Sequence, residues 1–366
     1  MRFFFRFYKQ WITMTLVIAA IAGAIRTSMS LPFAGDPSKK AAHLDEPLKT
    51  PLKKSVTCRS DYNQDMLLCL RRAEGLGAQA VVLTVVIAQK SRNASLVYID
   101  PKQTLDSSHI QSFIQKAHQD GLAVILKPLL QIGGDSNILR DSIAPKERKQ
   151  WFKSYKHVMT TLLKWAEGTD GLVLGTELTS MQEDDRWEDI ITSMRSMQEN
   201  LFLSYNINWN ALKPIPWLKK LDAIGLSAYF PLCTSQRTPS VENLIACWQN
   251  GSQQRIRAYA RQYGRPLWFT EIGLTAREGS NVTPWTTPRT KWCPQCQANW
   301  FEAAIKVWDK QSGFLGLTWW SLVAEPCIGK MENNAFSYFD DLASGVLLRH
   351  NGKKHSLSMP HPGHGC

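Results

Sequence analysis

The chain has 366 residues, 44% of them apolar, with 14 tryptophans and a formal net charge of +12. That apolar content excludes a disordered polymer, and the length fits one large domain such as an α/β barrel of about 250 residues with long loops. The basic residues fall in short pairs, such as Lys39-Lys40, Lys53-Lys54, Lys219-Lys220 and Lys353-Lys354, and are not striped with aromatics. This argues for solubility and weak attraction to acidic surfaces and against a nucleic-acid partner.

At the N-terminus, Arg2, Arg6 and Lys9 precede an apolar run from Trp11 to Ile25, and Arg26-Thr27-Ser28 follows it. The run is short for a membrane span but suits a signal-peptide core, and Ala22-Gly23-Ala24 offers a small-x-small cleavage site. Residues 1–30 therefore read as a signal peptide or membrane anchor. The remainder is expected to be exported, as a secreted, periplasmic or extracellular protein, with any membrane contact confined to residues 11–25. Residues 31–54, rich in Pro and Lys without periodicity, read as a linker.

From 55 to 345 strand-like and helix-like segments alternate. Strands are expected over Ser55–Cys58, Ala80–Ile87, Leu122–Leu126, Gly171–Leu174, Leu201–Tyr205, Ala223–Leu226, Pro266–Phe269 and Phe314–Thr318. A helix is expected near Asp61–Glu74. Trp151, Tyr155, Val158, Leu162 and Trp165 share one face of another, which Pro145 would open. Gly121, Gly225 and Gly264-Arg265-Pro266 mark hand-overs from helix to strand. Eight strands with helices between them predict a single-domain (β/α)8 TIM barrel, with a doubly wound open sheet as the alternative. No Walker loop, HExxH or GxSxG is present. Residues 346–366, with His361 and His364, read as a polar C-terminal tail.

In an exported chain the eight cysteines read as disulfide material, with the pairing left open. Cys293-Pro-Gln-Cys296 has the spacing of a redox or zinc site but stands alone, so a structural disulfide, or a link to Cys327, is expected. Sequons at Asn93, Asn250 and Asn281 would carry glycans only in a eukaryotic secretory pathway.

The chemistry is carried by two glutamates. Glu177 follows the fourth predicted strand and Glu271 follows the seventh. A carboxylate at the tip of a buried strand is costly to desolvate, and an opposed pair is what cutting a glycosidic bond requires. Barrel enzymes act at the C-terminal ends of their strands. The predicted strands bring Gln89, Lys127-Pro128, Glu177, Asn208-Trp209, Tyr229, Glu271 and Trp319-Trp320 to that rim. Lys127 would either touch substrate or neutralise a buried carboxylate; for Glu177 a structural ion pair with a lysine on a neighbouring strand is the lesser alternative, because Glu271 stands beside it. Glu183-Asp184-Asp185 is expected to favour a helix dipole over a cation.

The runs Gly175-Thr-Glu-Leu178, Ile224-Gly-Leu-Ser-Ala-Tyr-Phe-Pro231, Phe269-Thr-Glu-Ile-Gly273 and Gly316-Leu-Thr-Trp-Trp320 resemble glycoside hydrolase family 113, the β-mannanase-type barrels of the retaining clan A. Val124-Ile-Leu-Lys-Pro128 and Tyr205-Asn-Ile-Asn-Trp209 are weaker echoes. The likeness implies a retaining β-glycoside hydrolase acting on β-linked hexose chains, with Glu177 as acid/base and Glu271 as nucleophile. By the same resemblance, Tyr229 would donate to Glu271, and Trp319 or Trp320 would floor the sugar site. Strand alternation allows only one of the two to face it. Asn208 and Lys127 would bond sugar hydroxyls, with Trp209 and Gln89 completing the substrate-binding set. The partner is then a carbohydrate, with no cofactor or metal called for and a monomer as the expected state. Two positions depart from the family pattern: Thr176 stands where Asn is common, and Leu129 where His is. They leave a catalytically silent glycan-binding or cell-envelope barrel as the alternative.

Overall fold

A computed structural model describes residues 52–60, 66–133, 139–322 and 341–352. The chain opens with β1 (Lys54–Cys58), α1 (Met66–Gly75), β2 (Ala80–Gln89), a two-residue β3 (Val97–Tyr98) and α2 (Ser107–Gln119). Next come β4 (Ala123–Ile132), a 3-10 turn (Arg140–Ser142), α3 (Arg148–Trp165), β5 (Gly171–Thr176) and α4 (Trp187–Met197). β6 (Phe202–Asn208), a second 3-10 turn (Pro216–Lys220) and β7 (Ala223–Ser227) follow. The last part holds α5 (Val241–Cys247), α6 (Gln253–Arg261), β8 (Leu267–Ile272), α7 (Pro294–Trp308), β9 (Phe314–Leu322) and α8 (Asp341–His350).

Eight strands run parallel in the order β1-β9-β8-β7-β6-β5-β4-β2, and β1 pairs with β2 to close the ring. β3 is a short antiparallel addition to β2. The expected (β/α)8 TIM barrel is therefore what forms, and the open-sheet alternative is excluded by closure. β2 reads as a near-continuous apolar run because both of its faces are covered. Val81, Leu83, Val85 and Ile87 of β2 face the helix layer, where they join one large core. Ala80 and Val82 turn the other way, into a small cluster with Ile125, Val173, Phe202, Ala223 and Trp268 that plugs the barrel floor.

Several boundaries differ from the sequence reading. α3 begins three residues after Pro145, although Trp151, Tyr155, Val158 and Leu162 are buried on one face as expected. The packed chain runs beyond the expected start of the tail at 346, because Val346, Leu347 and Leu348 of α8 are buried. The apolar cost of leaving three such side chains in water extends the fold to His350. Among the described residues no helix is long and apolar enough to cross a membrane; residues 1–51, Cys327, Cys366 and the C-terminal histidines lie outside them.

Among the described residues, disulfides join Cys58 to Cys69, Cys233 to Cys247 and Cys293 to Cys296. The first ties β1 to α1, and the last closes the turn that opens α7, so Cys293 and Cys296 pair with each other. Asn281, one of the sequons, is buried and its Nδ2 donates to the carbonyls of Leu232 (2.8 Å) and Gln236 (2.9 Å). An amide so enclosed has no room for a glycan. Asn93 and Asn250 are exposed.

Gly175 marks a register shift in β5, where pairing passes from Val173–Ser204 to Thr176–Asn206. An added Cβ there would lie 2.5 Å from Tyr205 Cε2 and 3.0 Å from Trp187 Cη2. Gly175→Ala is expected to cost about 1–3 kcal/mol through overpacking. Urea denaturation checks this as a lower midpoint at unchanged slope.

Candidate active site

Strand irregularities stand beside both glutamates. In β8, Leu226 pairs with Phe269 but Ser227 pairs with Glu271, so one extra residue is inserted at Thr270. Trp268 already points inward, and strict alternation would send Glu271 out to the helices. The bulge re-aims it inward. β5 shifts register at Gly175, and Glu177 just beyond it takes a left-handed backbone with φ 56°. That conformation is uncommon for a side chain larger than glycine and needs support from its surroundings.

The support is an aromatic wall behind β5. Trp151, Tyr155, Trp187, Tyr205 and Trp217 pack through stacked and edge contacts, with Trp187–Tyr205 centroids at 5.0 Å and Trp187–Trp217 at 5.7 Å. Their polar tips bond backbone carbonyls on both sides of Glu177: Tyr155 to Leu174 (2.7 Å), Tyr205 to Leu178 (3.4 Å), Trp187 to Met181 (2.8 Å) and Trp217 to Gln182 (3.0 Å). A buried ring that also satisfies a carbonyl fixes both packing and register.

Glu271 is nearly enclosed, its side chain 5% exposed. Lys127 Nζ, itself fully buried, forms an ion pair with Glu271 Oε1. Asn206 Nδ2 donates to the same oxygen at 3.2 Å, and the Tyr229 hydroxyl donates to Oε2 at 3.0 Å. Three donors on two oxygens form an environment complementary to negative charge. Burial pulls the Lys127 ammonium below the usual lysine range, and the Glu271 carboxylate limits that fall. Burial, then the charges of Glu271 and Glu177, hold the Tyr229 phenol well above its ordinary value, so it stays a donor.

Glu177 is more open, its side chain 18% exposed. Burial raises its pKa first and the negative charge of Glu271 raises it further. Arg140, Ser227 and Lys127 oppose the rise. Arg140 Nη1 lies 3.2 Å from Glu177 Oε2. The two carboxylates are thus electrostatically coupled but differently solvated, an arrangement that separates a proton donor from an anion.

Of the sequence-predicted residues, Glu177, Glu271, Tyr229, Lys127 and Trp320 come together. Lys127 takes the neutralising alternative. Trp320 packs with Tyr229 and Leu129, and the Lys127 ammonium and Arg59 guanidinium lie 5.3 and 4.9 Å from its ring. Trp319 faces the other way and stacks on Phe301 of α7 at 4.0 Å, so the sugar-floor expectation passes to Trp320 alone. Gln89 is also a correction. It shares the outward parity of Val85 and Ile87, accepts from Trp151 Nε1 (2.8 Å) and donates to Ser91 O (2.7 Å), which uses its amide away from the rim. Asn208 lies half-buried at the end of β6, and Trp209 packs against the Trp320 cluster.

Asn206 and Arg140 are the residues the sequence reading missed. Asn206 holds both glutamates: its carbonyl accepts the Glu177 backbone N–H at 2.9 Å, and its amide holds Glu271. It shares a strand face with Asn208, one pleat deeper, which is the signal that could have found it. Arg140 sits on a loop turn with no pattern to flag it. The acidic run pairs with cations: Asp184 with Arg186 (2.8 Å) and Arg148 (3.5 Å), Glu183 with Lys213 (2.6 Å). Thr176 spends its hydroxyl on Pro128 O at 3.4 Å.

The sequence profile of glycoside hydrolase family 113 matches residues 56–338. No curated protein matches the chain. Among solved structures, the family 113 β-mannanase AaManA from Alicyclobacillus acidocaldarius, in complex with ManMIm, superposes with a TM-score of 0.72 at 21% identity, covering 84% of this chain and 99% of that one. A family 113 β-1,4-mannanase gives 0.70 at 20% identity, over 83% of this chain and 100% of the other. A family 5 mannosidase from Rhizomucor miehei gives 0.56 at 10% identity, over 83% and 94%.

Removing one member of a buried ion pair strands the other. Lys127→Met is expected to lower stability by about 3–5 kcal/mol. Lys127→Met/Glu271→Met together should cost less than the sum of the single changes. A denaturation double-mutant cycle measures that coupling.

Proposed function

Because the chain belongs to glycoside hydrolase family 113 and is a glycoside hydrolase, we propose that it cleaves β-linked hexose chains with retention of configuration, Glu177 acting as acid/base and Glu271 as nucleophile. The observation that carries this reading is the unequal setting of two coupled carboxylates at the barrel mouth. Glu271 has both oxygens held by Lys127, Asn206 and Tyr229, which aims it for attack on an anomeric carbon. Glu177 is raised by burial and by the charge of Glu271, which keeps a proton available for the leaving oxygen.

The same coupling supplies the switch that the second step needs. When Glu271 becomes an ester it loses its charge, and one of the two causes raising Glu177 disappears. Glu177, with Arg140 beside it, then favours its ionised form and takes a proton from a water whose oxygen bonds the anomeric carbon as the ester bond to Glu271 breaks and its carboxylate leaves. Trp320, held between Tyr229 and Leu129, is the apolar floor for the sugar ring at this point. Asn208 at the rim is a donor for a sugar hydroxyl. The β-mannanases among the structural neighbours support β-mannan as the first substrate to try.

Export belongs to the same proposal. Disulfides are material of oxidising compartments, and those at Cys58–Cys69, Cys233–Cys247 and Cys293–Cys296 support a secreted or periplasmic setting.

Glu271→Gln is expected to lower kcat on β-1,4-mannan or an aryl β-mannoside to background with a native circular-dichroism spectrum. Full activity in that variant overturns the assignment. For pH dependence, kcat/KM should fall as pH rises through the raised Glu177 pKa, since the acid loses its proton. Arg140→Gln removes a cause that lowers this pKa, so the alkaline limb should move to higher pH. A kcat/KM profile of both proteins reads the direction.

A further inference from the structure

The described tryptophans are mostly enclosed, but Trp285 is 41% exposed and sits on the loop between β8 and α7. Its ring stacks on Trp209 at 4.9 Å with planes 24° apart. Trp209 in turn packs against the cluster of Trp320, Tyr229 and Leu129 beside Glu271. One face of the Trp285 ring is thus covered by a tryptophan that leads to the reacting centre, while much of its remaining surface is in water. An exposed aromatic of this size forfeits burial unless something covers it.

The loop that presents it is rigidly built. Thr286 N–H bonds Thr283 O at 3.0 Å across the turn that holds Trp285. Asn281 ties the loop to the segment after β7 through Leu232 and Gln236. At its base Glu278 N–H bonds Lys291 O (3.0 Å) and Cys293 N–H bonds Ala276 O (2.7 Å). A preset ring gives up little conformational freedom when a ligand covers it.

We propose that Trp285, backed by Trp209, is the platform of an outer subsite that takes a further pyranose ring of a β-linked hexose chain. The chemistry fits a sugar because a pyranose offers an apolar C–H face to a ring while its hydroxyls stay in water. Three tryptophans in succession, Trp320, Trp209 and Trp285, lead from the centre outwards, so the enzyme favours chains longer than the two rings that flank the cleaved bond. This rests on the hydrolase reading above and extends it to chain length.

Two measurements separate the two claims. In hydrolysis, the ratio of kcat/KM for mannohexaose over an aryl β-mannoside should fall about tenfold in Trp285→Ala, the scale of one lost ring contact. Trp285→Tyr, which keeps a ring, should restore most of it. Trp292→Ala, at a second exposed tryptophan of the loop beside Arg277, should leave the ratio near that of the parent. In binding, mannohexaose and mannotriose are titrated by tryptophan fluorescence into the Glu177→Gln protein with and without Trp285→Ala. A hexaose advantage that Trp285→Ala abolishes upholds the subsite even if no hydrolysis is seen. An unchanged ratio and advantage in Trp285→Ala, an equal loss in Trp292→Ala, or no chain-length preference in the parent overturns it.

Discussion

A lysine and a glutamate facing one another inside the barrel set the terms for everything around them. Lys127 and Glu271 come from strands on different sides of the ring, and both lie almost wholly out of water. Each alone would cost several kcal/mol to enclose, so neither is tolerable without the other. Two donors from intervening strands, Asn206 on β6 and Tyr229 just beyond β7, satisfy what the lysine leaves unmet. The mouth of the barrel is therefore a polar lid on an apolar plug, with the floor cluster around Trp268 and Phe202 beneath it.

The second glutamate depends on a different kind of support. Glu177 stands on a strained backbone whose flanking carbonyls are held by aromatic side chains from α3, α4, β6 and the turn at Pro216–Lys220. The wall is hydrophobic in bulk and polar at its tips. It lets one glutamate be partly solvated while the other is enclosed. From that difference in setting come the different chemical tendencies of two identical side chains, with Arg140 moderating the more open one.

The rim loops carry what distinguishes this barrel from a bare scaffold. The Cys233–Cys247 and Cys293–Cys296 disulfides and the buried Asn281 tie down the segments after β7 and β8. These segments present Trp285 next to Trp209. Stiff loops hold aromatic rings at fixed places, and fixed rings select ligands by shape and length.

The amino-acid sequence by itself determined the alternation of apolar runs and amphipathic helices, and with it the eight-stranded ring and the two strand-end glutamates. Those follow from local periodicity and from the cost of burying charge, which any segment carries within itself. Which way a residue points at a strand end is another matter. Glu271 faces the lumen because of an insertion opposite Ser227, Glu177 holds a left-handed backbone in front of a wall of aromatic rings, and Trp320 faces inward in preference to Trp319 because Phe301 claims the latter. Gln89 was readable from its parity with Val85 and Ile87, whereas Asn206 and Arg140 acquire their roles only from neighbours distant in the chain. Only the tertiary structure decided these, because bulges and ion pairs are settled by packing between segments, and no window of sequence contains both partners.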